Sequence, residues 1–188
     1  MKEKMRIVCF QIDNILEKHL TQPVLVAIDG MSASGKSTLG NLLKEKYQCN
    51  LFHMDDFFLR PEQRTKERLS EAGGNVDYKR FQEEILAHIS DPSGLVYQRY
   101  NCSQKKLEEK IKVPYNRLNI IEGAYSQHPY FKNIYDLRFF LTISSEEQKR
   151  RIRIRNGEAQ LERFIKEWIP MENQYFETYQ IPSFSICL

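Results

Sequence analysis

The residues with clearest chemical potential begin at Gly30. The stretch Ile28–Gly40, IDGMSASGKSTLG, contains the spacing Gly30-x-x-x-x-Gly35-Lys36-Ser37. Glycine opens backbone conformations closed to other residues and lets the chain approach an anion closely. The segment Gly30, Ser32, Ala33, Ser34, Gly35, Lys36, Ser37 and Thr38 is thereby expected to form a nest for phosphate groups, backed by the positive end of a helix starting near Lys36. Lys36 would reach the β- and γ-phosphates of a nucleotide, and Ser37 would offer its hydroxyl to Mg²⁺. A chance Gly-rich turn before a helix is the alternative. The apolar run before the loop and the helical pattern after it favour phosphate binding.

Acids and arginines recur at positions that could serve such a loop. Asp55 and Asp56 end the run NLFHMDD. At the carboxyl edge of a parallel sheet, where ligands lie, a carboxylate can take a proton from an attacking hydroxyl or help to hold Mg²⁺. Asp also caps turns at strand ends, so a structural role is the competing reading. Glu122 ends a second apolar run and could hold Mg²⁺ directly or through water, or could serve as an N-cap or ion-pair partner. The basic run at residues 149–155 places Arg151 and Arg155 on one helix face, four residues apart. Guanidinium groups suit charge spread over phosphoryl oxygens, although most charge runs are solvated helix faces.

These residues need elements to hold them. Residues 5–20 carry Met5, Val8, Ile12, Ile15, Leu16 and Leu20 on one helical face, and Pro23 follows. The continuous apolar run at 24–29 reads as a strand buried on both faces. A helix over 37–47, a strand over 50–56, a surface loop over 59–77 and an amphipathic helix over 78–89 follow. Residues 95–102 read as a short strand outside the main sheet. Strands are expected at 118–124 and 137–144, and a basic helix at about 145–155. A Gly-containing break and a helix at about 159–178 come next, with FSICL as an edge strand. Alternation of strand and helix argues a three-layer α/β fold with mostly parallel strands.

Composition sets outer limits. The chain has 188 residues, enough for one domain with a real core. Apolar residues make up 41% and charged residues 28%, as in a soluble globular protein. A net charge of +3 is too small to indicate a large nucleic-acid surface. The four cysteines are scattered without a C-x-x-C pair, and the four histidines show no zinc-ligand spacing. No apolar run approaches membrane-span length and no signal-peptide pattern is visible, so a cytoplasmic protein without a membrane partner is expected. Oligomeric state is left open.

From Val24 onward the chain resembles the uridine kinase family, within the group that includes nicotinamide riboside kinase and phosphoribulokinase. HMDDFFLRPE is similar to the D-D-F-F-x-x-E type stretch of nicotinamide riboside kinases. GGNVDYKRF resembles the family segment H-P-D-A-F-D, and VYQRYNCS its Y-D-x-x-x-H-S segment, with Cys102 where that family has His. IIEGAY resembles the E-G strand end, and RRIRIRN the arginine-bearing lid helix, with Asn156 where Asp is usual. The resemblance implies a P-loop NTPase fold over residues 1–188, with a lid at about 150–162 and a substrate-binding insertion at about 57–115. It implies Asp55 as base for a ribose 5′-hydroxyl, Phe58 beside the nucleobase, Asp77 on the ribose hydroxyls, and Tyr97 in the acceptor site.

The expected activity is therefore transfer of the γ-phosphate of Mg-ATP to a hydroxyl of a nucleoside-type small molecule. Asp55, Lys36, Arg151 and Arg155 would be the catalytic groups, with Ser37 and Glu122 on the metal. No N-K-x-D guanine-reading segment is present to suggest a switch GTPase. A different acceptor, such as nicotinamide riboside or a phosphorylated sugar, is the alternative within kinases. A nucleotide-binding regulator that has lost catalysis is the alternative outside them.

Overall fold

The structure is a computed structural model that describes residues 1–19 and 21–188. Helix α1 (Lys2–Lys18) carries Val8, Cys9 and Ile12 on its buried face. Leu20, expected on that face, lies outside the described residues. Strand β1 (Val24–Gly30) is buried throughout and runs into the loop that precedes helix α2 (Lys36–Tyr47). Strand β2 (Asn50–His53) leads to a segment containing α3 (Lys66–Ser70), α4 (Tyr78–Glu84) and the antiparallel pair β3 (Leu95–Asn101) and β4 (Lys106–Val113). The chain returns through β5 (Leu118–Glu122) and β6 (Leu137–Leu141) to α5 (Ser145–Asn156), α6 (Glu158–Arg163), α7 (Ile169–Thr178) and β7 (Ile186–Cys187).

The main sheet has the order β2-β5-β1-β6-β7, and every pairing in it is parallel. Side chains of successive strand residues point to opposite faces, and the two cores show it directly. Leu51, Ile120 and Phe139 join the cluster under α1 and α2. Their neighbours Phe52, Ile121 and Phe140 join the cluster formed with α4 and α7. Helices thus cover both faces, and the structure is the expected three-layer α/β arrangement.

Several boundaries differ from the sequence pattern. The second strand stops at His53, and residues Met54–Phe57 form a 3₁₀ turn. Side chains three apart eclipse in such a turn, so Met54 and Phe57 enter the core together and Asp55 and Asp56 are left on other sides. The expected loop over 59–77 contains a 3₁₀ turn at Pro61–Gln63 and helix α3, and it buries Leu59 and Val76. The helix over 78–89 is α4 followed by a 3₁₀ turn at Leu86–His88. Strand β3 stands outside the main sheet as expected. Its partner β4, KLEEKIKV, carried too few apolar residues to be read as a strand and is largely exposed. The last helix is interrupted by a π-helical turn at Phe164–Trp168, just before Pro170.

A line of buried polar contacts ties the second core to the loop after β1. His128 stacks on Tyr78 at 4.6 Å and faces Tyr175 at 6.1 Å between ring centroids. The Tyr175 hydroxyl donates to Asp29 Oδ2 at 2.8 Å, and the Gly30 N–H donates to Asp29 Oδ1 at 2.7 Å. Burial pushes the His128 imidazole down to about 4, with Arg68 adding to the shift and a backbone contact at Ala72 and the charge of Glu71 opposing it.

This gives an acid sensitivity of known sign. The unfolded chain takes up a proton on His128 near pH 6.5 and the folded chain only near pH 4. Stability from neutral His128 is complete above 6.5 and is lost as pH falls toward 4, by roughly 3 kcal/mol in total. Urea midpoints measured from pH 7 to 4 should fall over that interval in the wild type and fall less in His128→Phe. Equal slopes for the two proteins would remove His128 as the cause.

Candidate active site

The loop after β1 divides its N–H groups into two sets. One set fixes the frame: Gly30 donates to Asp29, Met31 to the Leu141 carbonyl at 3.1 Å, Ser32 to Glu172 Oε2 at 2.9 Å and Ser34 to the Met31 carbonyl at 3.1 Å. The other set, Ala33, Gly35, Lys36 and Ser37, finds no acceptor among the described residues. The first N–H groups of a helix have no partner within it, so four unpaired donors gathered at one helix start form a place for an anion. The Ser34 hydroxyl is also buried without a partner. Ala33 at φ 60° and Gly35 at φ 103° lie in the left-handed region, which turns neighbouring amides to a common side. At Gly30, φ 136°, a Cβ would stand 2.2 Å from the Leu141 carbonyl oxygen, so only glycine fits.

Lys36 Nζ lies along the loop, donating to the carbonyls of Gly30 at 2.7 Å and Met31 at 3.0 Å. An arriving phosphate can replace both acceptors without moving the backbone. Ser37 Oγ is 3.2 Å from Glu122 Oε2, so the two expected metal residues do meet. The other oxygen of Glu122 contacts His53 Nδ1. That contact raises the imidazole above its usual value, against the effect of burial. His53 and Glu122 face each other because they are register partners in β2 and β5. Thr38 lies in the first turn of α2.

The two aspartates are distinguished by their partners. Asp56 is held by Arg99 of β3 at 3.3 Å and is half-buried. Asp55 accepts no hydrogen bond and makes no ion pair among the described residues. Its side chain keeps access to solvent while protein groups crowd around it. Desolvation raises its carboxyl above the usual 3.8; Glu122 adds to the rise, and Lys36, His53 and Arg155 oppose it.

Three expected acceptor residues are committed elsewhere in this structure. Asp77 is buried; its carboxylate accepts the Arg80 N–H at 3.2 Å, capping α4, and the Gln63 amide at 2.8 Å. The Tyr97 ring is buried against Phe57, stacked at 5.8 Å. Phe58 packs against the same cluster and bridges to Val76. On the basic helix, Arg151 bonds the Ala33 carbonyl at 3.2 Å and Glu147 at 2.7 Å, so it touches the tip of the loop. Arg155 pairs with Asn156 at 2.7 Å, and its charge reaches Asp55. The two arginines share a helix face but attend different sides of the site.

Sequence reasoning missed the residues that clamp Ser32. Glu172 of α7 accepts from both its N–H and its hydroxyl, and Gln148 of α5 donates to its carbonyl at 3.1 Å. Glu172 is 140 positions away in the chain, so no local pattern could reveal it. His53 was within reach of reasoning, since it sits two residues before Asp55 at a strand end.

The donors present suit a nucleotide with a small divalent cation. Mg²⁺ is commonly held by one or two protein oxygens, with phosphates and waters completing its shell. Ser37 and Glu122 supply that many. No cluster of three or more His, Cys, Asp or Glu able to hold a metal alone occurs among the described residues. No helix among them is long and apolar enough to cross a membrane.

No protein-family model matches the chain. It is 29% identical to nicotinamide riboside kinase 2 of Mus musculus over 142 residues, 70% of this chain and 68% of that protein. Its fold is similar to that of a possible uridine kinase from Bacillus stearothermophilus, with TM-score 0.69, 18% identity, and coverage of 96% of this chain and 98% of that one. It is also similar to D-glycerate 3-kinase from Cryptococcus neoformans, with TM-score 0.66, 14% identity, and coverage of 92% and 88%. With the phosphate loop at the carboxyl edge of β1, the chain has the fold of these P-loop kinases and is similar in sequence to a nicotinamide riboside kinase, as expected of a phosphotransferase.

Proposed function

We propose that the chain transfers the γ-phosphoryl group of Mg-ATP to a hydroxyl of a nucleoside or a similar small metabolite. The observation that carries this reading is the juxtaposition of two unsatisfied sets: the free N–H groups of Ala33, Gly35, Lys36 and Ser37 and the unpartnered carboxylate of Asp55. The loop amides and Lys36 hold the β- and γ-phosphates. Ser37 and Glu122 would hold Mg²⁺, which when bound would supply positive charge to offset that of the phosphates.

Asp55 accepts the proton of the acceptor hydroxyl as its oxygen attacks the γ-phosphorus. The bond from phosphorus to the β–γ bridging oxygen breaks, and its electron pair leaves with ADP. Arg151 and Arg155 belong to the lid segment, about residues 150–162, and offset charge on the transferring group as the segment excludes water. Residues 57–115 form the acceptor side of the cleft. The raised carboxyl of Asp55 suits a base, since proton transfer is most efficient when its affinity approaches working pH. Glu172 acts as a positioning residue: its carboxylate holds Ser32, and through it the amides on either side. Similarity to the mouse kinase makes nicotinamide riboside an acceptor to test beside uridine.

Three variants test the assignment. Lys36→Ala should fold and lose most acceptor-dependent ADP release; normal turnover in a folded variant would sink the phosphate-loop reading. Asp55→Asn keeps shape and removes the basic oxygen, so turnover should fall by roughly a hundredfold or more with ATP affinity little changed. Asp56→Asn should have a smaller effect, because its loss acts through Arg99. If Asp56→Asn is the inactive variant and Asp55→Asn is near normal, the base is misassigned. Glu172→Gln should raise the KM for ATP more than it lowers kcat, by about tenfold, since one charge-assisted hydrogen bond contributes 1.5–3 kcal/mol. An unchanged KM would mean that the clamp on Ser32 does not order the loop.

A further inference from the structure

A cavity near the proposed base, whose charge reaches the cavity's Cys102, has a charge character that the kinase reading does not use. It has a volume of about 230 Å³ and is lined by Pro61, Arg64, Tyr100, Cys102 and Lys105. One wall is the chain that leaves the Asp55–Asp56 turn. The other is the end of β3 and its hairpin turn. Strand β3 is fixed against the Asp55–Asp56 turn by Arg99 on Asp56 and by the stacking of Tyr97 on Phe57. Its end at residues 100–102 therefore lies near Asp55. Asp55 and Arg64 are both close enough for their charges to act on the Cys102 thiol, which burial chiefly raises.

Both charged groups in the lining are cations and no acid is among the lining residues, although the charge of Asp55 reaches Cys102. Arg64 and Lys105 enter no ion pair among the described residues, while neighbouring arginines do: Arg60 with Glu62, Arg68 with Glu71, Arg80 with Glu84 and Arg99 with Asp56. The hairpin turn is held by its own contacts. Asn101 Oδ1 accepts from the Ser103 N–H, the Ser103 hydroxyl and the Gln104 N–H, and Lys105 is turned at φ 52°. Two like charges on one cavity repel unless an anion lies between them. An acceptor bearing a negative group would also need such cations to approach Asp55 and the phosphates.

We propose that this pocket binds a carboxylate or phosphate group of the acceptor between Arg64 and Lys105, so that the acceptor is an anionic hydroxyl compound rather than an uncharged or cationic nucleoside. The inference rests on the kinase reading. It predicts a ranking among acceptors: hydroxy acids or phosphorylated sugars first, uridine next, and nicotinamide riboside, a cation, last.

The test has two arms. Binding of glycerate, ribose 5-phosphate, uridine and nicotinamide riboside is measured calorimetrically with a non-hydrolysable ATP analogue and Mg²⁺ present, in the wild type and in Arg64→Gln/Lys105→Gln. At least one of the two anions should bind at least tenfold more tightly than either nucleoside. The double variant should lose about tenfold or more of that affinity, and raised salt should weaken the wild type more than the variant. Glycerate against ribose 5-phosphate separates a carboxylate from a phosphate ligand. Tighter binding of uridine or nicotinamide riboside, or anion binding indifferent to the double substitution, or no binding of either anion, overturns the proposal. The second arm measures ADP release with the same four compounds. Charge-dependent binding of an anion without release from any of them counts against the kinase reading and leaves the pocket standing. Release with uridine alone does the reverse.

Discussion

A phosphate-binding loop must keep several N–H donors free of protein partners and still hold its backbone still. These demands oppose each other, because the usual way to fix a peptide is to satisfy its hydrogen bonds. Here the conflict is resolved by alternation. Gly30, Met31, Ser32 and Ser34 spend their N–H groups on the frame, and Ala33, Gly35, Lys36 and Ser37 keep theirs. The frame partners come from three directions: Asp29 beneath the loop, Leu141 on the neighbouring strand, and Glu172 from a distant helix. Much of the rest of the fold supports those three. Asp29 is steadied by Tyr175 and the Gln127 N–H, Leu141 by the parallel register of β1 and β6, and Glu172 by α7.

That division explains what could be read from sequence. The loop was legible because its demands fall on adjacent residues: glycines where φ is positive, a lysine and a serine at the start of a helix. The buried strands were legible because a parallel sheet covered on both faces needs unbroken apolar runs. The turn after β2 was not, because Met54 and Phe57 are apolar in either reading and only tertiary packing chooses the 3₁₀ spacing. Strand β4 was hidden by its lysines and glutamates, which are compatible with a strand that is exposed along most of its length. Asp77 and Tyr97 matched family segments by residue type, yet their surroundings in this chain turn them to capping and packing. Glu172 was out of reach, since its meaning lies wholly in a residue far away.

The same structure separates two neighbouring aspartates that sequence left adjacent. Arg99 neutralises Asp56 and joins it to β3. Among the described residues no cation is bonded to Asp55, so it remains available as a hydrogen-bond acceptor for a ligand. The turn geometry makes this possible, because residues one apart in a 3₁₀ turn point about 120° apart. A strand continuing to residue 56 would have placed one of the pair on each face of the sheet, with one carboxylate directed into a core.

Lys36 carries more than its assignment to the phosphates suggests. Its charge acts on Asp29, Asp55 and Glu172, and it opposes the effect of burial at each. Asp29 still rises to about 6, which costs roughly 3 kcal/mol at neutral pH relative to an ordinary carboxylate. Two of these acids hold the loop frame, one through Gly30 and one through Ser32. A frame carboxylate that takes up a proton becomes a weaker acceptor for the N–H it must fix. The lysine that would bind the anion therefore also keeps ionised the groups that shape the anion's cradle, so its loss weakens loop order and phosphate contact together.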